Sequence, residues 1–364
     1  MGFLAGWISG TVGFAAPVAL AAMAFGSYSS RVFPSLNPTL VAASVVVILS
    51  MIHSASISAS SAFQNLFTTV KVALMGVFIL AGFLAAHPQE ISVLPSAIDL
   101  RYVVHSAFPI SLYFVSYSYS GWNASAYIAG EIKEPQRNLP VSLLLGTAVV
   151  TLLYLLMNFV FLYTAPISEL AGKLDVGFVS ASRIFGAAGG RIAAGIISLV
   201  LISTASAMII AGPRVIQVVG EDHVFLRVLG RRNSRGIPFN AIVFQSTISL
   251  ILIFTSSFEK VLLYVGFTLN LFALLTVIGL FVMRARRPDL PRPYRAWGYP
   301  FTPIVFLLAS SWLLVYGFLF RPVESLGGLA TILLGLILYT VGRWSSRNET
   351  GDARPLSLRG RTDS

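Results

Sequence analysis

Residues 103–140 read VVHSAFPISLYFVSYSYSGWNASAYIAGEIKEPQRNLP, and the fold turns on what happens midway. An apolar run gives way at Ser116-Tyr117-Ser118-Tyr119-Ser120-Gly121-Trp122-Asn123, resumes, and leaves through a charged turn. Small polar residues and a glycine stand there in place of the bulky aliphatics that a lipid-facing helix wants. In a bilayer every backbone N–H and C=O must be satisfied, so non-helical backbone at that depth is tolerated only inside protein or along a watery cavity. The stretch predicts a helix that breaks within the membrane.

The rest of the chain supplies the membrane. Of its 364 residues 56% are hydrophobic and 11% charged, with a mean hydropathy of +0.81, whereas soluble domains carry about 25% charged residues. The charges cluster and leave gaps such as 32–70, 102–130, 138–168 and 261–283, each long enough for the ~20 residues that cross a bilayer as a helix. Ten spans are expected, near 3–27, 38–56, 63–86, 103–130 (broken), 141–165, 192–215, 239–256, 261–283, 301–320 and 325–342. The fold class is therefore an all-α polytopic membrane protein. Residues 1–343 form its transmembrane domain, and 344–364 are polar enough to make a disordered tail.

Charge sets orientation. Of the 25 Lys and Arg residues, 17 fall in the turn 131–140, the loops after the sixth and eighth spans, and the tail. That bias places both termini in the cytoplasm, with the plasma (cytoplasmic) membrane as the expected location. The net charge of +11 reflects these anchors rather than a nucleic-acid surface, so no nucleic-acid partner is expected. The absence of cysteine excludes a thiolate metal site, a cysteine nucleophile and a disulfide-linked subunit. The first segment lacks a basic leader region and is long enough to span, so it reads as a membrane helix. No HExxH, GxSxG or phosphate-cradling loop occurs. No enzyme, catalytic residue, cofactor or metal site is expected, and transport would draw on a gradient or exchange.

Four strings carry a likeness: YSGWN at 119–123, GEIKEPQRNLP at 130–140, FQN at 63–65 with Lys71 in the same span, and RRPDLPRPYRAWGYP at 286–300. With them nearly the whole chain resembles the amino acid–polyamine–organocation (APC) superfamily of amino acid permeases, most closely its L-type and bacterial branches. The resemblance implies a five-plus-five inverted-repeat transporter fold in which the first and sixth helices are both broken. Here the broken helix is the fourth span, so the ten spans correspond to family helices three to twelve. The expectation is a chain lacking the first two helices, either through a misplaced start or a true truncation.

The resemblance also implies a site. Backbone groups near Tyr117, Ser118, Tyr119, Ser120, Gly121 and Trp122 would hold the substrate, with Tyr117 at a position where the family often has an aromatic gate. Physics agrees, since carbonyls ending a half-helix suit an ammonium and free N–H groups beyond it suit a carboxylate. The bland alternative is a Ser/Gly-rich face that lets helices approach closely. The amino acid substrate would move by alternating access. An amine or polyamine exchanger is the runner-up, although the break carries no acidic residue, and a non-transporting remnant is the rival from another class.

Lys71 is the one Lys or Arg well inside a span rather than at its end, about 12 Å along its helix at 1.5 Å per residue. A lysine at mid-membrane costs about 2.5–3.5 kcal/mol or more, which marks it as a functional candidate; the alternative is a side chain that snorkels to the interface. In some bacterial relatives a lysine here resembles a substitute for sodium, so a coupling proton is expected ahead of a sodium ion. Ser203, Thr204 and Ser206 lie on the helix whose hydroxyls bind sodium in other members; packing bonds are the alternative. Glu131, Lys133 and Arg137, with Glu134, would form an inner gate of ion pairs or else a solvated turn where Pro135 ends the helix. Gly6 and Gly10 suit close helix packing. His53 and His105 lie near span ends and suit an interfacial role.

Overall fold

A computed structural model describes residues 2–55, 61–85, 88–91, 99–103, 105, 107–127, 129–292 and 294–352. The principal helices are α1 (Gly2–Val32), α2 (Pro38–Ala55), α3 (Ser61–Ala85), α4 (Ala107–Ser118), α5 (Pro135–Thr164), α6 (Val176–Asp222), α7 (Phe239–Thr255), α8 (Phe258–Arg286), α9 (Phe301–Phe320) and α10 (Pro322–Asp352). Among the described residues all regular structure is helical. Eight of these helices are long and apolar enough to cross a membrane. The 17-residue α7 and the 12-residue α4 occupy the other two expected spans. The chain is thus an all-α polytopic membrane protein. α10 runs on to Asp352, into the stretch whose composition suggests a tail, and 353–364 lie outside the described residues.

α1 is the centre of the bundle. In its most apolar window 72% of residues are buried, against none for α5, because α1 packs on α6, α2, α7 and α8 at once. Its small residues make that possible. A Cβ on Gly6 would stand 2.5 Å from Val219 Cγ2 and one on Gly10 2.5 Å from Ile216 Cγ1, so the two glycines let α6 lie against α1, as small-xxx-small spacing predicts. From Ser9 to Phe14, a stretch that includes Gly10, the backbone widens into a π segment. Thr11 Oγ1 donates to the Trp7 carbonyl at 2.7 Å, a side-chain bond that competes with the helical ladder. Such π turns recur at functional sites.

The remaining helices wrap this centre. α2 and α7 close one side through an aliphatic core of Val18, Val46, Leu49, Ile209 and Ile253. α8 and α10 close the other around Trp7, Val12, Leu20 and Val265, and Trp7 Nε1 donates to the Thr331 carbonyl at 3.0 Å. α6 is two helices joined at Gly186, whose φ of 73° only glycine adopts at no steric cost. Side chains such as Leu80, Leu84, Leu145 and Leu155 are exposed, which suits contact with lipid tails.

α4 is held by one tyrosine. Tyr113 is 1% exposed, and its hydroxyl donates to the Leu313 carbonyl of α9 at 2.7 Å. The ring fits because its neighbours are glycines: an added Cβ would stand 3.0 Å from Tyr113 Cδ1 at Gly266 and 2.3 Å from Oη at Gly317. This anchor fixes the helix five residues before it breaks.

Candidate functional site

α4 ends at Ser118, and Tyr119 (φ −103°, ψ 4°) lies between it and a 3-10 turn, Ser120–Asn123. The local sequence explains the stop. Ser118 Oγ donates to the Val115 carbonyl and Ser120 Oγ to the Tyr117 carbonyl, both at 2.7 Å, while the Tyr119 N–H reaches back only to Ser116 at 3.2 Å. Serine hydroxyls thus take carbonyls that a continuing helix would give to N–H groups, and Gly121 adds a residue with poor helix propensity. Beyond the turn, helix resumes for a single turn, Ala124–Tyr127, followed by a second 3-10 turn, Ala129–Glu131. The resumed half-helix is therefore shorter than the expected span to residue 130.

A cavity of about 590 Å³ opens against this break, within the roughly 300–1,000 Å³ of small-molecule sites. The break lends Ser116, Tyr117, Tyr119, Ser120, Trp122 and Asn123; α1 adds Ala5, Ile8 and Ser9 at the mouth of its π segment; α5 adds Leu143, Leu144 and Thr147. The far wall is α8, with Gly266, Leu269, Asn270, Phe272, Ala273 and Thr276, and Phe306 of α9 completes it. None of these lining side chains carries a formal charge. Tyr119 meets the Tyr154 ring edge-on at 5.6 Å, and Asn270 Nδ2 donates to the Ser310 carbonyl at 3.1 Å.

Four of the six residues expected to hold substrate line this cavity: Tyr117, Tyr119, Ser120 and Trp122. Ser118 and Gly121 do not. Ser118 points its hydroxyl back along α4, and an added Cβ at Gly121 would meet nothing within 4 Å, so no close approach demands a glycine there. Sequence reasoning missed Asn270 and Thr276. Both are polar residues in an otherwise apolar run, and an amide at mid-span is the signal that marks such positions.

The coupling candidates sit away from the cavity. Lys71 Nζ donates to Thr204 Oγ1 at 3.1 Å, and Thr204 Oγ1 donates to the Val200 carbonyl at 3.1 Å. Two residues on, Ser206 Oγ is 2.8 Å from His53 Nε2, which puts a half-buried histidine of α2 against α6 where only an interfacial role is expected. Ser203 is buried. The side chain of Glu131 lies outside the described residues. Lys133 and Arg137 are exposed, and among the described residues no ion pair joins them to Glu134. The Lys133 carbonyl accepts from Asn138 Nδ2 at 2.6 Å. Pro135 opens α5 rather than ending the broken helix, because a residue without an N–H and with φ near −65° suits the first helical position.

Sequence profiles and relatives agree on the kind of protein that has this arrangement. A profile described as "Amino acid permease" matches residues 1–341. The b(0,+)-type amino acid transporter 1 of Mus musculus is 27% identical over 346 residues, covering 93% of this chain and 70% of its own length. The Large neutral amino acids transporter small subunit 2 of Mus musculus is 27% identical over 359 residues, with 94% and 66% covered.

Proposed function

The chain belongs to the amino acid permease family, and from that premise we propose that it carries neutral amino acids across the membrane by alternating access, holding them in the cavity at the end of α4. The observation that carries this reading is the pairing of broken backbone with a lining that has no formal charge. A zwitterion needs partners for its ammonium and carboxylate, and backbone carbonyls and N–H groups provide them without committing a charged side chain. A cationic or polyamine substrate would want a carboxylate for its distal charge, and none of the lining residues offers one. The name of one relative, the Large neutral amino acids transporter small subunit 2, supports the neutral class, and that of the other, a b(0,+)-type amino acid transporter, supports amino acids as cargo.

Tyr117 and Tyr119, both in the cavity lining, wall the substrate at the break, and Asn270 and Thr276 read its side chain from α8. Coupling is to a proton at Lys71, whose ammonium is held by Thr204 on α6 in place of a metal cation. α1, α2, α6 and α7 form the static body, and the break is the joint at which α4 and the turn beyond it rearrange. Both termini and the arginine-rich loops face the cytoplasm, and the 364 residues hold no cysteine with which to join a heavy chain by a disulfide. The test is uptake of radiolabelled leucine into proteoliposomes under an imposed pH gradient, with unlabelled amino acids as competitors. Competition by neutral amino acids and not by putrescine is the expected result. Competition by putrescine alone overturns the substrate class, and leucine uptake unchanged when the gradient is collapsed overturns the coupling.

A further inference from the structure

A second cavity of about 500 Å³ lies at the end of α8, lined by Arg284, Pro288, Leu290, Pro291, Arg292 and Arg295. Three guanidinium groups and no carboxylate face it. The single acid of the loop between α8 and α9, Asp289, lies 3.7 Å from Arg287 and is not among the lining residues.

The three arginines differ in what they have left to give. Arg292 is consumed by structure: its two terminal nitrogens donate to the Pro288, Leu290, Met283 and Arg287 carbonyls at 3.1, 2.9, 3.3 and 2.7 Å. It shapes the wall and leaves its positive charge uncancelled. The Arg284 guanidinium lies over the Tyr299 ring, its Cζ 3.7 Å from the centroid, and its Nε is buried with no partner. A buried donor without an acceptor costs about 1–3 kcal/mol, so the site is built for an acceptor that completes it. Arg295 is exposed and makes no ion pair among the described residues.

The surroundings say what bears that acceptor. α8 ends at Arg286 and α9 begins at Phe301, so the pocket lies where apolar helix gives way to polar loop. In the same loop and at the start of α9, Trp297 and Phe301 are 74% and 76% exposed, the composition of an interfacial aromatic belt. A basic pocket at the membrane end of a helix, with exposed aromatics nearby in the chain, suits a headgroup rather than a soluble anion.

We propose that this pocket binds the phosphate of an anionic phospholipid, with Arg284 and Arg295 as the donors and Trp297 and Phe301 against the acyl chains. The assignment is independent of the cargo. The test uses the full chain purified in mild detergent, and reads binding of a short-chain phosphatidylglycerol by thermal shift and native mass spectrometry, with phosphatidylcholine and inorganic phosphate as the other probes. Arg284→Gln with Arg295→Gln should weaken phosphatidylglycerol binding by about 30-fold, since each arginine near a lipid surface contributes about fivefold. Arg227→Gln with Arg231→Gln removes equal charge from another loop and should change it less than threefold. Equal losses in the two double variants mean diffuse attraction and overturn the site. Binding of inorganic phosphate as tight as that of the lipid overturns the lipid assignment. Arg295→Gln alone, at an exposed side chain with no packing role, keeps the test valid if the double variant does not fold: an unchanged affinity there also overturns the proposal.

Discussion

Gly317→Ala should destabilise the protein, and removing one oxygen atom elsewhere should repair part of the damage. A Cβ at position 317 would stand 2.3 Å from Tyr113 Oη, 2.9 Å from Cζ and 3.1 Å from Cε2. The ring has nowhere to go, because its other edge lies against Gly266 and it is 1% exposed. Overpacking of this kind costs about 3 kcal/mol at the upper end, and alanine's better helix propensity returns about 1 kcal/mol, for a net loss of about 2 kcal/mol. Tyr113→Phe alone gives up the 2.7 Å bond to the Leu313 carbonyl, about 0.6 kcal/mol by the average for hydrogen bonds inside membrane proteins. In the double variant the closest contact, the one to Oη, no longer exists, so it should be more stable than Gly317→Ala alone by about 1 kcal/mol. Unfolding in an SDS titration measures all four proteins, and uptake should follow the same order because α4 leads straight into the break. A double variant less stable than Gly317→Ala would refute the claim that Gly317 exists to admit Tyr113.

Other expectations are equally direct. Lys71→Met should remove the pH dependence of uptake while leaving the protein folded, and Thr204→Val, which takes away the 3.1 Å acceptor, should shift that dependence without abolishing it; a profile unchanged in both variants argues against coupling at this pair. Arg31 bonds the carboxylate of Asp175, whose side chain is 4% exposed against 42% for its partner. Arg31→Ala should therefore cost about 3 kcal/mol by stranding a buried charge, and Asp175→Ala distinctly less, as SDS unfolding will report. Asn270→Leu should raise the KM for a neutral amino acid several-fold with little loss of expression, and an unchanged KM would take α8 out of the substrate site.

Much of the frame was legible because bilayers impose it. Charge-free gaps of span length place ten helices, and the run of serines before Gly121 places the break within a residue or two of where α4 stops. The site was only half legible. Tyr117, Tyr119, Ser120 and Trp122 come from one contiguous string, but Asn270, Thr276, Thr147 and Ser9 reach the same cavity from three other helices, and helix facing is weakly encoded when nearly every residue of a span is apolar. α1 and α5 illustrate the point: both are long apolar runs, and only the five glycines and seven alanines of α1, against one of each in α5, hint that the first is the buried centre while the most apolar window of the second has no buried residue. Gly121 stands outside the cavity lining for a local reason: as a poor helix former it helps end the helix without needing a close neighbour, since an added Cβ there would meet nothing within 4 Å. Pro135 carried both meanings, an end for one helix or the beginning of the next, and the backbone at Glu134, with φ 47°, selects the second.

The hydroxyls of Ser118 and Ser120 have a bearing on turnover. By occupying the Val115 and Tyr117 carbonyls, they keep the break satisfied while the cavity is vacant, so the empty carrier is not left with dangling acceptors in an oily surrounding. At the proposed site an arriving ammonium would displace or share the Ser120 hydroxyl at the Tyr117 carbonyl rather than fill a void. The net gain from such a swap is about 1 kcal/mol per bond, far less than the bond would be worth unopposed. Under the proposed function, loading and unloading would thereby become nearly isoenergetic, which suits a carrier that must let go of its cargo in every cycle.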